Sequence, residues 1–239
     1  SLRQKNLSQP LDSLLWWTDT VCSQVDLELL HIQMKNRNVQ SKIDSTLTLH
    51  FQNFLFLNLD CSEDPALEFI RDSIFTEGRF IHDHEYIAFI QMWLEKNFIE
   101  MNLGMYEMNR NENILTISVS YDSYSGGAHP LHESTILNFN THTGEVLTLT
   151  DCIDESTVPM LTSVAFSQFS QLDPDSLWGL DEPTFFLSDD FFFDESGLHF
   201  FYDPYEIGPY VMGSPEIHLP LEKIQPLIAP NSVINAIYK

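Results

Sequence analysis

Phe191-Phe192-Phe193-Asp194-Glu195-Ser196-Gly197-Leu198-His199-Phe200-Phe201-Tyr202 reads as two short strands folded back on each other across a tight turn. Aromatic side chains suit a pleated, half-buried surface, and Asp194-Glu195-Ser196-Gly197 has the composition of a turn. A reversal in so few residues pairs the strands antiparallel, because a parallel pair needs a long crossover.

Working outward, Ile217 to Leu219 predicts a third short strand, followed by a helix opened by Pro220. Upstream, residues 156–171 predict a helix that buries Val158, Leu161, Ala165 and Phe169. Ile136 to Asn140 and Glu145 to Leu149 predict a hairpin whose Gly144 takes a positive φ. Leu115, Ile117, Val119 and Tyr121 alternate with Thr116, Ser118 and Ser120, the period of a strand. Further back, residues 84–101 space Tyr86, Phe89, Ile90, Trp93, Leu94 and Met101 along one helical face. Another helix is expected over 63–74, after a Ser62 cap. Val25, Leu27 and Leu29 alternate, as do Leu47, Leu49 and Phe51, so both stretches are expected to be strands. Strands and helices in separate runs imply an α+β fold, with antiparallel sheets and a few packed helices. Two regions are expected, 1–110 and an acidic 111–239, packed as one unit.

Charge is the second informative feature. The 239 residues carry 11 Lys or Arg against 35 Asp or Glu, a formal net charge of −24. Residues 111–222 hold 19 of the acids and no Lys or Arg at all. Such a field repels nucleic acid and anionic lipid and attracts cationic proteins, amines or divalent metals, besides keeping an aromatic-rich chain soluble. Cys22, Cys61 and Cys152 allow one internal disulfide at most, and there is no CxxC pair. No run of apolar residues is long enough to span a membrane, and Ser1 to Asn6 lacks the character of a signal peptide.

Familiar reaction chemistry is absent from the motifs. Gly126-Gly127 is not followed by the Lys and Ser/Thr of a phosphate loop. His129 and His132, with Glu133 and His142 nearby, do not match the spacing of a helical zinc site. No Gly-x-Ser-x-Gly elbow is present. Asp189, Asp190, Asp194 and Glu195 lack the loop pattern of a calcium cage and read as a solvated hairpin rim. No catalytic residue, metal or cofactor is expected.

Ser125-Gly126-Gly127-Ala128-His129, Asn138-x-Asn140-x-x-Thr143-Gly144, Leu149-Thr150-Asp151 and Tyr205-x-Ile207-Gly208-Pro209-Tyr210, in that order, resemble a bacterial pattern. It is that of the paired domains of unknown function in the RsiV-type anti-sigma factor and the PdaC-type peptidoglycan deacetylase. The resemblance covers residues 110–228, while over 14–110 only the order of strands and helices agrees. Pro130 stands where the family usually has a small residue. The resemblance implies a free-standing, extracytoplasmic bacterial protein, whether periplasmic, secreted or lipid-anchored to the envelope. In the anti-sigma factor these domains bind lysozyme, a basic protein; in the deacetylase they sit beside a separate catalytic domain.

The expected function is thus a non-catalytic binding module for a basic, lysozyme-like protein. The alternative is a cell-wall glycan-modifying enzyme or accessory domain using His129 and nearby carboxylates. The candidate binding residues are Tyr124, Gly126, Gly127, His129, Trp178, Tyr202, Tyr205, Glu206 and Tyr210. Tyrosines among carboxylates suit arginine and lysine through ring stacking and charge-assisted bonds. The plainer expectation is that Pro204, Gly208 and Pro209 fix a loop with Tyr205 and Tyr210 packed beneath it. Trp178 is either a recognition anchor or a cover for the core.

Overall fold

The computed structural model describes residues 14–18, 21–28, 32–57, 100–124, 128–172 and 180–238. Strands β1 (Leu14–Thr18), β2 (Val21–Glu28), β3 (Glu100–Arg110), β4 (Ile114–Tyr124) and β5 (Leu131–Asn140) form one sheet in that order. Strands β6 (Phe191–Asp194), β7 (Gly197–Phe201) and β8 (Glu216–Pro220) form a second. Helix α1 (Arg37–Leu57), a turn of helix α2 (Leu149–Cys152), α3 (Val158–Leu172) and α4 (Leu221–Ile224) complete an α+β fold. Two compact units result: Ser1–Met105 with Val119–Leu131, and Tyr106–Ser118 with His132–Lys239.

The central hairpin is as the sequence predicts. Phe191 pairs with Phe200 and Asp194 with Gly197, antiparallel, leaving Glu195 and Ser196 as the two-residue turn. β8 adds antiparallel to β7, and α4 follows Pro220. One face of this small sheet carries Phe191, Phe193, Leu198, Phe200, Ile217 and Leu219 into a core closed by Leu161, Ala165 and Phe169 of α3. The α3 residues recur every four positions, a single helical stripe. Phe185 joins them with its ring 5.4 Å from that of Phe169. Each such phenylalanine contributes roughly 2–3 kcal/mol of burial. Cys152 is a free thiol in this core, and burial pushes its pKa up to about 12, which leaves it inert.

Three expectations are corrected. Leu47 to Phe51 is not a strand but part of α1: Val39, Ile43 and Leu47 are buried at helical spacing, while Leu49 is 50% exposed. The period of four over the longer stretch outweighs the local alternation. The pairing of β2 with β3 is parallel, Val25 opposite Met101 and Leu27 opposite Leu103, so the sheets are not wholly antiparallel. The chain between those strands is long enough for the crossover that such a pair requires. Finally, residues 145–149 do not make a strand. Phe139 bridges Val146 alone, and the chain turns into α2, where the Asp151 carboxylate accepts from Thr148 N at 2.8 Å. Gly144 does take its positive φ, 75°. The expected helices at 63–74 and 84–101 lie outside the described residues, apart from Glu100 and Met101, which belong to β3.

The Asn138-x-Asn140-x-x-Thr143-Gly144 segment has a structural purpose in this fold. Asn140 Oδ1 accepts from His142 N at 2.9 Å and Thr143 N at 3.2 Å, shaping the turn. Asn138 is buried and bridges two elements: Thr116 Oγ1 donates to its Oδ1 at 2.8 Å, and its Nδ2 donates to the Phe191 carbonyl at 2.6 Å. Asn109 Nδ2 donates likewise to the Phe193 carbonyl at 2.8 Å. Two side-chain amides thus satisfy β6 carbonyls that would otherwise be unpaired.

Candidate functional site

The loop between β7 and β8 is closed at its foot by Tyr202 N donating to the Pro215 carbonyl at 3.1 Å. Its first turn is held twice, by Glu206 N on the Asp203 carbonyl at 3.1 Å and by Asp203 N on Glu206 Oε2 at 2.6 Å. Ile207 is buried and anchors the loop to the core. Pro209 then caps a turn of 3-10 helix, Tyr210–Met212, which ends at Gly213 with φ 69°.

This scaffold turns apolar side chains outward. Tyr205 is 66% exposed and Val211 90%. The Tyr205 and Tyr210 rings lie 5.5 Å apart, inclined at 40°. Tyr205 has φ 76°, the only non-glycine residue with a positive φ among those described. A tyrosine in that region costs on the order of 1–3 kcal/mol and persists only where its surroundings impose it. The expectation that Tyr205 packs beneath the loop therefore gives way: the turn closed by Asp203 and Glu206 points it to solvent.

Carboxylates line the foot. Asp203 accepts from Ser134 N through both oxygens, at 3.1 and 3.2 Å, and from Ser134 Oγ at 3.1 Å. Asp190 Oδ1 accepts from Ile136 N at 2.5 Å. Two aspartates thereby cover alternate N–H groups along β5, where another strand would otherwise pair. Burial raises the Asp190 pKa to about 6, against the bond from Ile136, with the Asp203, Glu206 and Asp189 charges adding to the rise. Asp203 and Glu206 are also raised, chiefly by desolvation; the bonds from Ser134 and, less, His132 oppose this at Asp203, while at Glu206 the bond from Asp203 N opposes it and the Asp203 and Asp189 charges reinforce it. The foot of the loop is thus a concentrated negative charge in partly dry surroundings, fitted to stabilise a cation.

Of the residues singled out from sequence, Tyr205, Glu206 and Tyr210 come together on this loop. Tyr202 adjoins it but is 1% exposed; its hydroxyl donates to the Phe186 carbonyl at 2.9 Å, so its ring belongs to the core. Tyr124 and His129 are exposed and belong to the other compact unit. Gly126, Gly127 and Trp178 lie outside the described residues. Asp190, Asp203 and Ser134 were not anticipated as a group. In the sequence, Asp189-Asp190 reads as a solvated rim and Asp203 as one of the carboxylates among the tyrosines, with nothing that joins them to Ser134. Among the described residues, no group of three or more His, Cys, Asp or Glu side chains is arranged to hold a metal ion, and no helix is long and apolar enough to cross a membrane.

Residues 153–222, which include this loop, match a family model described as a protein of unknown function (DUF3298). No curated protein matches the chain. Among solved structures it is similar to a member of the DUF3298 family from Bacteroides fragilis, 21% identical, covering 91% of this chain and 89% of that one with a TM-score of 0.63. It is similar also to a DUF3298 family protein from Pseudomonas aeruginosa, 14% identical, covering 90% and 89% with a TM-score of 0.60. At these identities the likeness is one of fold, and the family match is that of the segment from Ile153 to Glu222.

Proposed function

We propose that the protein is an extracytoplasmic bacterial binding module, without a reaction of its own, that docks a basic protein of the lysozyme-like kind through the loop 203–215. The observation that carries this reading is the pairing of outward-held Tyr205 and Val211, with half-buried Tyr210 against the Tyr205 ring, and the carboxylates of Asp203 and Glu206. Tyrosine rings offer arginine and lysine a face to stack on, and rigid aromatic anchors lose little entropy on docking. The surrounding sequence adds long-range attraction, since no Lys or Arg occurs from 111 to 222. The resemblance to the RsiV-type and PdaC-type domains supports both the compartment and the class of partner.

Titration calorimetry against a lysozyme and against an acidic protein of similar size tests the reading. Binding to the lysozyme alone, weakening steeply between low and high salt, is the expected result. Equal binding to both, or to neither, would overturn it.

A further inference from the structure

A second polar cluster stands on the small sheet, apart from the loop's tyrosines. His199 is cross-strand neighbour to Phe192 on β6 and to His218 on β8. The three rings stack, with centroids 4.4 Å apart at 7° for Phe192 and His199 and 4.4 Å apart at 24° for His199 and His218. His199 Nδ1 lies 2.5 Å from Glu216 Oε1, and Nε2 lies 3.1 Å from Asp194 Oδ1. Ser196 Oγ is 3.1 Å from both His199 Nε2 and His218 Nε2, and 2.6 Å from Asp194 Oδ1.

The hydrogen bonds open to this ring differ between its two protonation states: when neutral, its bare nitrogen is left to accept from Ser196 Oγ. A neutral imidazole has one N–H and can serve only one of the two carboxylates; an imidazolium donates to both. Glu216 is the first residue after the loop and pairs with Phe201, next to the Tyr202–Pro215 bond that closes it. Asp194 is fixed on the other side, accepting from Ser196 N at 2.7 Å and Gly197 N at 3.2 Å.

We propose that His199 is a proton-operated latch for the loop 203–215, closed when its imidazolium bridges Asp194 and Glu216 and loosened when one ring nitrogen loses its proton. As a regulator of docking it rests on the reading above; as a device in the fold it stands alone. Because the bridge needs a proton on both ring nitrogens, acidification closes the latch. The groups facing His199 are Asp194 from β6, Glu216 and His218 from β8, and Ser196 from the turn. A charge on His218 would oppose the one on His199, and the two carboxylates offset it.

Amide hydrogen exchange on the full chain, between pH 8 and 6 and corrected for intrinsic chemistry, tests the latch without any partner. The expected result is that Tyr202, Glu206 and Gly213 amides gain about tenfold protection at pH 6, and that His199→Gln cuts the gain to the roughly twofold that Asp190 alone supplies. The same gain in both proteins would overturn the proposal, as would none in the wild type. Should His199→Gln fail to fold, Glu216→Ala removes one arm of the bridge at a more exposed position and gives the same comparison. Because no ligand is present, a negative result here is distinct from a failure of lysozyme to bind.

Discussion

Asn138 Nδ2 donates to the Phe191 carbonyl at 2.6 Å, while Thr116 Oγ1 holds Asn138 Oδ1 from the other side. This buried relay ties β4 and β5 to the edge of the small sheet that carries the candidate loop. Removing the amide strands two polar groups in the core. Asn138→Ala is expected to cost about 1–3 kcal/mol, measured as a lowered urea midpoint at unchanged m. Thr116→Val in the same background should cost less than it does alone, which a double-mutant cycle reads directly.

Gly197 takes φ 150°, and a Cβ added there would lie 2.0 Å from the Leu219 carbonyl oxygen. Backbone on β8 cannot yield without breaking the β7–β8 ladder. Gly197→Ala is therefore expected to destabilise by more than about 3 kcal/mol or to prevent folding. Circular dichroism and thermal melting check this; a melting temperature within a few degrees of wild type would contradict the close approach.

The pH dependence of stability has a definite sign. Asp190 titrates near 6 in the fold because burial, reinforced by neighbouring charges, outweighs its bond from Ile136; unfolded, it titrates at the ordinary value of 3.8. The folded state thus holds a proton that the unfolded chain releases. That contribution is fully present below about pH 4 and is lost as pH rises through 6. Melting temperature should climb as pH falls from 7.5 towards 5. Asp190→Asn, which keeps an oxygen for Ile136 N, should flatten that climb and melt higher than wild type at pH 7.5. A steeper climb in the variant would refute the assignment.

Tyr205 holds a conformation that glycine adopts at no steric cost. Tyr205→Gly is expected to leave stability unchanged or raise it by up to about 1 kcal/mol. If the ring is a docking anchor, the same variant should bind lysozyme at least about tenfold more weakly. Loss of stability with unaltered binding would assign Tyr205 to the scaffold instead.

Much of the second unit was legible in the sequence because its signals are local. Phe191–Phe193, a turn and Leu198–Phe201 specify a hairpin whatever surrounds them, and Leu161, Ala165 and Phe169 mark the buried side of a helix. Gly144 announces its turn for the same reason. The charge sign of the 111–222 stretch is likewise a property of composition alone.

Tertiary structure decided what depends on partners distant in the chain. Asp190 reaches Ile136 across 54 residues, Asp203 reaches Ser134 across 69, and His199 meets Glu216 across a strand pair. A carboxylate's desolvation and a tyrosine's exposure are set by what packs around them, which no local pattern encodes. The same limit explains the parallel β2–β3 pair and the helical fate of Leu47 to Phe51, where longer-range packing overrode a short alternation. Sequence fixes which residues prefer a strand, a turn or a charge; only the assembled core determines which of them meet.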